Sequence, residues 1–245
     1  MFERVEQGFF RKVLSAHSKT PLECIYLELG VIPFRFHLMA RRITYYQTIL
    51  KRDDDEITKK VITCQKKTRI PGDFYMQVLN DMTILQISEI NLISLTKGAL
   101  KHRLEQAITK HALDYLVGIA NSHSKVRGNL YSNLDGMAYF NDPRFTPDLS
   151  NMLFKFRCRM YNVRNNFRNN YVLSNILCPM CEETDDTQEH LFQCRKIREL
   201  LPLEVFNQGF SYEDIFANDC DTLLGVARLL KQIVNIREQW SENNA

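Results

Sequence analysis

Cys178-Pro179-Met180-Cys181, followed by His190 and Cys194, is the stretch that decides the fold of the C-terminal part of the chain. Its spacing is C-x2-C-x8-H-x3-C. Two cysteines separated by two residues can turn both sulfurs toward one point, and residues four apart on a helix lie one turn apart on the same face. Four soft ligands are the number that a tetrahedral structural zinc site takes. The stretch therefore predicts one structural Zn2+, and the alternative is two structural cysteines beside an unrelated surface histidine.

The polar loop inside this motif contains a helix start signal. Asp186 can cap the helix that carries His190, and Glu189 lies three residues further on, as in a capping box. We expect that helix to continue through Cys194 to about Leu200.

Length and composition predict a globular protein. The chain has 245 residues, of which 44% are hydrophobic, enough for one large or two small packed domains. No apolar run reaches the roughly 18 residues of a membrane span, and the acidic, amphipathic N-terminus does not resemble a signal peptide. Three of the seven cysteines lie in the motif, and we expect the other four to be buried thiols: Cys24, Cys64, Cys158 and Cys220. This cysteine usage predicts a reducing, intracellular location, nuclear or cytoplasmic. The lack of a membrane-span pattern predicts no membrane partner.

Positive charge is concentrated in the larger part of the chain. Residues 1–177 carry 26 Lys and Arg against 16 Asp and Glu, whereas residues 178–245 carry 6 against 13. A basic body favours a polyanionic partner, although many solvated helices carry excess lysine. The acidic C-terminal part is a candidate docking surface for a protein partner.

Helical patterns fill the first 52 residues. Thr20-Pro21-Leu22-Glu23 is a helix start, with Thr20 as the expected cap and Pro21 in the first turn. The helix runs from Leu22 to Leu29 and stops at Gly30. A third helix begins at Pro33 and is basic. Its cations and neighbouring tyrosines are Arg35, Arg41, Arg42, Tyr45 and Tyr46. Two interpretations of these cations stay open: a surface that faces phosphates, or the ordinary solubility of a helix.

Residues 151–177 contain no acidic residue, and we expect one helix that leads directly into the zinc motif. Its basic residues, which can neutralise phosphates, are Lys155, Arg157, Arg159, Arg164 and Arg168. Aromatic residues lie between them and either stack on exposed bases or form the core at helical spacing. Upstream, Lys125 and Arg127 belong to a compact polar cluster. It is either a phosphate-binding loop or a loop without a binding role.

The chain has no convincing strand pattern. The sequence therefore predicts an all-α fold, an irregular helical bundle with a small CCHC zinc knuckle near the C-terminus. The expected division is into basic helices at 1–52, a helical domain at 53–177, the knuckle at 178–200, and C-terminal helices at 201–240 that pack back on the body.

Seven segments carry a further pattern: Ala16–Pro21, Leu27–Pro33, Arg41–Tyr45, Leu50–Asp53, His123–Lys125, Leu153–Phe167 and Cys178–Cys194. Together they resemble the C-terminal region of non-LTR (LINE-type) retrotransposon reverse transcriptases. The resemblance covers most of the chain. The knuckle is its most specific part, because these elements typically end in a long-loop CCHC motif. The ligand positions of that motif match Cys178, Cys181, His190 and Cys194.

The resemblance implies that residues 1 to about 50 correspond to the polymerase thumb or its edge, and that residues up to 177 correspond to the linker after it. In that family the knuckle and the helix before it are thought to help hold template RNA or target DNA. Many members have four residues between the histidine and the last cysteine, whereas this chain has three. That difference leaves the i, i+4 helical geometry of His190 and Cys194 intact.

The catalytic residues of that family are not matched. Polymerase chemistry needs paired carboxylates that hold two metals, in this family on a hairpin with an aromatic residue before Asp-Asp. The Asp pairs here, within Asp53–Asp55 and at Asp185-Asp186, lie in polar turns without that flank, and no Asp/Glu-x-Lys nuclease element occurs. We therefore expect a module that binds RNA or DNA backbone and is not an enzyme on its own. The alternative is a protein-interaction scaffold derived from a retroelement. The sequence does not determine whether RNA or DNA is preferred, or what the oligomeric state is.

Overall fold

The computed structural model describes residues 2–123, 133–166 and 176–243, and in these ranges the chain forms helices and no strands. The α-helices of these ranges are α1 (Phe2–Val13), α2 (Leu22–Leu29), α3 (Phe34–Leu50), α4 (Ile57–Thr68), α5 (Phe74–Ile84), α6 (Glu89–Ser94), α7 (Lys97–Ser122), α8 (Pro147–Arg157), α9 (Gln188–Gln193), α10 (Arg195–Leu200), α11 (Leu203–Phe206) and α12 (Cys220–Asn243). Short 3-10 helices occur at Ala138–Phe140 and Tyr212–Phe216. The predicted all-α fold is confirmed. None of the described helices combines the length and the apolar composition that crossing a bilayer requires.

The chain divides into two compact units. The first unit comprises Met1–Glu6 and Val31–Gly118, and the second comprises Gln7–Gly30 and Ile119–Ala245. The first unit thus holds residues on both sides of the predicted boundary at residue 52. The second contains both the predicted knuckle and the C-terminal helices.

In the first unit, α3 packs against α4, α5 and α6. Its buried face includes Ile43, Tyr46 and Ile49, which recur every three residues as an amphipathic helix requires. The buried amide of Gln47 donates to the carbonyls of Leu92 and Leu95, at 2.8 and 2.9 Å, and so ties α3 to the end of α6. The opposite face of α3 is left to solvent.

In the second unit, α12 packs against α8, α10 and the two 3-10 helices. Helix α8 starts as its sequence dictates, since the Thr146 hydroxyl accepts from the backbone N–H of Leu149 and Pro147 occupies the first turn. The core between these helices includes Leu153 and Phe156 from α8 and Leu230 from α12. Cys178 and Cys194 of the CCHC motif belong to the same hydrophobic core as these helices.

Helix α2 has its predicted bounds and ends at Gly30, which adopts the left-handed conformation with φ of 65°. A side chain there would meet the backbone of Gly136, because a Cβ on Gly30 would lie 2.6 Å from the Gly136 nitrogen. The predicted cap at the other end is wrong. Pro21 occupies the N-cap position, and the Thr20 hydroxyl is buried without a hydrogen-bond partner.

The long helix predicted over 151–177 is also wrong. Helix α8 ends at Arg157, and Arg159 adopts a left-handed conformation with φ of 50°, which turns the chain. Residues 167–175 lie outside the described residues. The knuckle is therefore not a continuation of α8.

None of the seven cysteines, which all lie within the described ranges, forms a disulfide, and they differ in burial. Cys24 and Cys158 are buried, as predicted, and Cys220 is partly buried. Cys64 is exposed, so the expectation of a buried thiol is wrong there. Its place on α4 is on the solvent side of the helix, whereas Ile62 takes the buried side.

Candidate metal centre and charged surfaces

The four residues of the C-x2-C-x8-H-x3-C motif converge on one point. One ligand atom from each of Cys178, Cys181, His190 and Cys194 lies within 4.8 Å of all the others. The Cys178 and Cys194 sulfurs are 3.9 Å apart, and the Cys181 sulfur is 3.3 Å from Nε2 of His190. No other group of this kind occurs among the described residues.

The first two cysteines are positioned by a tight turn. An isolated antiparallel bridge pairs Leu177 with Asp185, and the Cys178 amide donates to the Thr184 carbonyl at 2.7 Å. The Glu182 amide donates to the Cys178 carbonyl at 2.9 Å, and Glu182 itself has a positive φ of 58°. This closed turn brings the sulfurs of Cys178 and Cys181 to the same side.

The last two ligands come from the junction of two short helices. His190 lies in the first turn of α9, whose N-cap is Thr187; the Thr187 hydroxyl accepts from the His190 amide at 3.0 Å. The prediction that Asp186 caps this helix is wrong. Cys194 ends α9 and is the N-cap of α10, with ψ of 119°, so the expected continuous helix to Leu200 is wrong as well.

Backbone amides surround two of the sulfurs. The amides of Met180 and Cys181 donate toward the Cys178 sulfur. Those of Lys196 and Ile197, in the first turn of α10, donate toward the Cys194 sulfur. The Lys196 and Ile197 amides are available to the sulfur because the helix breaks at Cys194. In a continuous helix they would donate to backbone carbonyls of the preceding turn.

The two buried thiols share a hydrogen bond, and it separates their pKa values. The hydrogen bond between the Cys178 and Cys194 sulfurs lowers the pKa of Cys194 to about 7. The same bond, with burial, raises the pKa of Cys178 to about 12. Cys194 therefore loses its proton at a lower pH than Cys178, and backbone amides support its thiolate. A metal cation would replace the shared proton as the positive charge between the sulfurs.

The donor set and its dimensions fit zinc. Tetrahedral geometry with Zn–S bonds of about 2.3 Å puts two sulfurs roughly 3.8 Å apart, which is close to the separation of the Cys178 and Cys194 sulfurs. Three thiols and one imidazole are soft ligands typical of structural zinc sites. A tetrahedral metal ion bound by all four residues would have no coordination position left for a substrate or a catalytic water.

Asp186 has a role that its sequence position did not indicate. It is fully buried, and its carboxylate accepts from both terminal nitrogens of Arg237 on α12, at 2.6 and 2.5 Å. It also accepts from the Arg164 amide at 2.8 Å. The loop between Cys181 and His190 is therefore fastened to the C-terminal helix. No local pattern around Arg237 could have indicated this pair, since the two residues are 51 positions apart.

One of the predicted phosphate-binding residues is a core residue. Arg157 is 2% exposed, and its Nε donates to the Glu28 carboxylate at 2.8 Å. Its Nη1 donates to the Ile215 carbonyl at 2.6 Å. Tyr139 also donates its hydroxyl to Glu28. The prediction that Arg157 faces phosphate is wrong, because the guanidinium neutralises a buried carboxylate inside the second unit.

The other cations of that segment have separate environments. Lys155 is half-buried on α8, and Arg159 donates to Glu189 at 2.7 Å. Arg164 donates to the Leu177 carbonyl at 3.1 Å, which holds it against the start of the knuckle. Three predicted sites lie outside the described residues: Arg168, Lys125 and Arg127.

The three predicted cations of α3 also differ. Arg35 lies over the Tyr115 ring, 4.1 Å from its centroid. Arg42 donates to both oxygens of the buried Asp81, at 2.6 and 2.9 Å, and the pair raises the pKa of Arg42. Arg41 is exposed and has no ion-pair partner among the described residues. Of the three, Arg41 is the residue available to an external anion.

Helix α4 supplies cations that the sequence interpretation passed over. Lys60 and Lys67 are exposed, and none of the described residues forms an ion pair with them. The signal was present in the sequence, since α4 contains four lysines and no acidic residue.

Comparison with known protein families, with curated proteins and with solved structures finds no match.

Proposed function

We propose that this protein is a zinc-containing module that binds the phosphate backbone of RNA or DNA. We propose further that it is similar to the region after the palm of a LINE-type reverse transcriptase and has no polymerase active site of its own. The spacing and convergence of the CCHC ligands support the zinc site. The distribution of exposed cations supports the polyanion partner.

The observation that carries the proposal is the composition of α3 and α4. These helices contain seven Lys and Arg and no Asp or Glu. Three of the cations, Arg41, Lys60 and Lys67, are exposed and lack an ion-pair partner among the described residues. Exposed cations that are not already paired with carboxylates are available to neutralise phosphates.

Zinc has a structural role in this proposal. It joins the turn at Cys178–Cys181 to the junction of α9 and α10. The site does not contact nucleic acid through the metal, because all four ligands come from the protein.

The test is the salt dependence of affinity for short labelled oligonucleotides. We expect the zinc-loaded chain to bind single-stranded RNA or DNA, with affinity that falls steeply between about 50 and about 200 mM salt, because counterions are released on binding. A chain that binds no nucleic acid at low salt would contradict the proposal.

A matched pair of triple variants locates the surface. Arg41→Gln, Lys60→Gln and Lys67→Gln together remove three exposed cations and should flatten the salt slope by roughly 2, at about 0.7 per phosphate on a single strand. The control removes the same charge from the exposed α7 residues Lys101, Arg103 and Lys110, also by change to Gln. Equal effects of the two triples would show that only net charge matters.

A second candidate function is a protein-interaction scaffold, and one feature of the second unit favours it. Leu200 and Leu203, at the end of α10 and the start of α11, are 52% and 76% exposed. The same unit contains a cavity of about 300 Å³, whose apolar lining includes Phe192, Leu201, Val205, Phe210 and Ile233. Salt-insensitive binding to a protein, with none to nucleic acid, would favour this function.

A further inference from the structure

Tyr45 is a half-exposed aromatic residue on a basic helix. Its side chain is 49% exposed, whereas the adjacent Tyr46 is fully buried and donates its hydroxyl to Glu89 at 2.9 Å. The two neighbours on α3 therefore have opposite roles. Tyr46 belongs to the core of the first unit, and Tyr45 belongs to its surface.

The Tyr45 ring is held in place from one side. It makes an edge-to-face contact with Phe74, the first residue of α5, with ring centroids 5.7 Å apart and planes at 76°. Such a contact uses one edge or one face of the Tyr45 ring, so at least one face remains for another planar group. A ring that is already positioned loses little conformational entropy when it binds a planar ligand.

The residues on the same side of α3 are cationic or neutral. His37 and Arg41 precede Tyr45 at successive i, i+4 positions, Thr48 follows at i+3, and all three are exposed. No carboxylate occurs within α3. The exposed face thus places a planar ring between hydrogen-bond donors and at least one fixed positive charge.

One carboxylate that contacts α3, that of Asp81, does not repel an anion, because it is buried and already paired. Asp81 is 2% exposed and both of its oxygens are occupied by Arg42. The charge of the pair is therefore balanced, and Arg41 remains the net positive charge of this stretch of the helix.

We propose that Tyr45 is a stacking platform for a base of single-stranded nucleic acid, with Arg41 on the adjacent phosphate. This inference rests on the proposed function and deepens it by naming the form of the ligand. Bases offer their faces only when they are unpaired and unstacked, so an exposed ring beside a cation selects a single strand over a duplex. Because every base has a face, the contact is tolerant of sequence.

The experiment compares Tyr45→Leu with Tyr45→Phe. Leucine keeps apolar bulk against Phe74 but has no ring face, whereas phenylalanine keeps the ring and loses only the hydroxyl. Ile90→Ala, which truncates an 82% exposed apolar side chain of the same unit, is the surface control. Circular dichroism and thermal unfolding establish that each variant is folded. The probes are a short oligo-U RNA, an oligo-dT strand and a duplex of equal length.

We expect Tyr45→Leu to bind the single strands roughly 5- to 150-fold more weakly, the range found for loss of one base–aromatic stack. Tyr45→Phe and Ile90→Ala should bind as the unchanged chain does, and duplex binding should change little in all three. A probe with 5-iodouracil should crosslink at Tyr45 when it is irradiated.

Each other outcome overturns the inference. If the unchanged chain binds salt-dependently but Tyr45→Leu binds equally well, the stacking platform is wrong and the proposed function stands. If Tyr45→Phe weakens binding as much as Tyr45→Leu, the hydroxyl and not the ring face makes the contact. If duplex binding falls as much as single-strand binding, the preference for single strands is wrong. If the unchanged chain binds no nucleic acid, both proposals fail together.

Discussion

Arg157 and Arg41 have the same side chain and opposite environments. Arg157 is enclosed in the second unit beside Glu28, whereas Arg41 is exposed on α3. The sequence offered both as phosphate contacts, because each lies in a segment that is locally free of acidic residues. The partner of Arg157 is 129 positions away, so no local pattern could separate the two cases.

Removing Arg157 should therefore affect folding. We expect Arg157→Ala to lower the free energy of unfolding by about 3 to 5 kcal/mol, because it leaves the Glu28 carboxylate buried without its cation. Urea denaturation measures this. The control is Lys155→Ala on the same helix, a half-buried residue that should cost much less. Equal stability of the Arg157 variant would contradict the buried pair.

The Asp186–Arg237 pair makes a second prediction at the scale of residues. We expect Asp186→Asn and Arg237→Gln each to destabilise the chain, and the double variant to cost less than the sum, with a coupling of about 0.5 to 3 kcal/mol. A double-mutant cycle in urea measures the coupling. Strict additivity would mean that the pair contributes nothing beyond its separate members.

At the scale of elements, the helix bounds that depend on neighbouring residues were predictable from the sequence. The bounds of α2 and the left-handed Gly30 followed from the apolar pattern and the glycine. The end of α8 could not be predicted in this way, because the residue that adopts the left-handed conformation there is Arg159 and not a glycine. The break at Cys194 was not predictable either. The i, i+4 spacing of His190 and Cys194 is compatible with one continuous helix, but the Cys194 sulfur accepts from the first backbone amides of α10. The convergence of Cys178, Cys181, His190 and Cys194 was predictable, because the residue types and spacing of a metal-binding motif are local features of the sequence.

Helix α9 offers a test of how the third ligand is positioned. We expect Thr187→Ala to lower stability by about 1 kcal/mol, because the His190 amide loses its cap. Asp185→Ala, two residues earlier and outside the helix, is the control. Thermal unfolding of the zinc-loaded chain measures both. If Asp185→Ala costs more, the cap assignment is wrong.

At the scale of the molecule, we expect metal binding to stabilise the structure of residues 178–200 and not that of the first unit. A chelator that removes zinc should release amide protection across residues 178–200, since the turn and the two short helices are joined through the ligands. Amides in α3 and α5 should keep their protection, because those helices have a core of their own in the first unit. Hydrogen exchange measured by mass spectrometry, with and without chelator, distinguishes the two regions. Protection that persists in residues 178–200 without metal would contradict the link.

The most direct measurement is the metal content of the purified chain and of Cys181→Ser, by native mass spectrometry under the same conditions. One zinc per chain, lost in the variant together with the structure of residues 178–200, is the result that the CCHC geometry predicts. A chain that folds fully without metal, or a Cys181→Ser variant that retains one zinc, would contradict the four-ligand site.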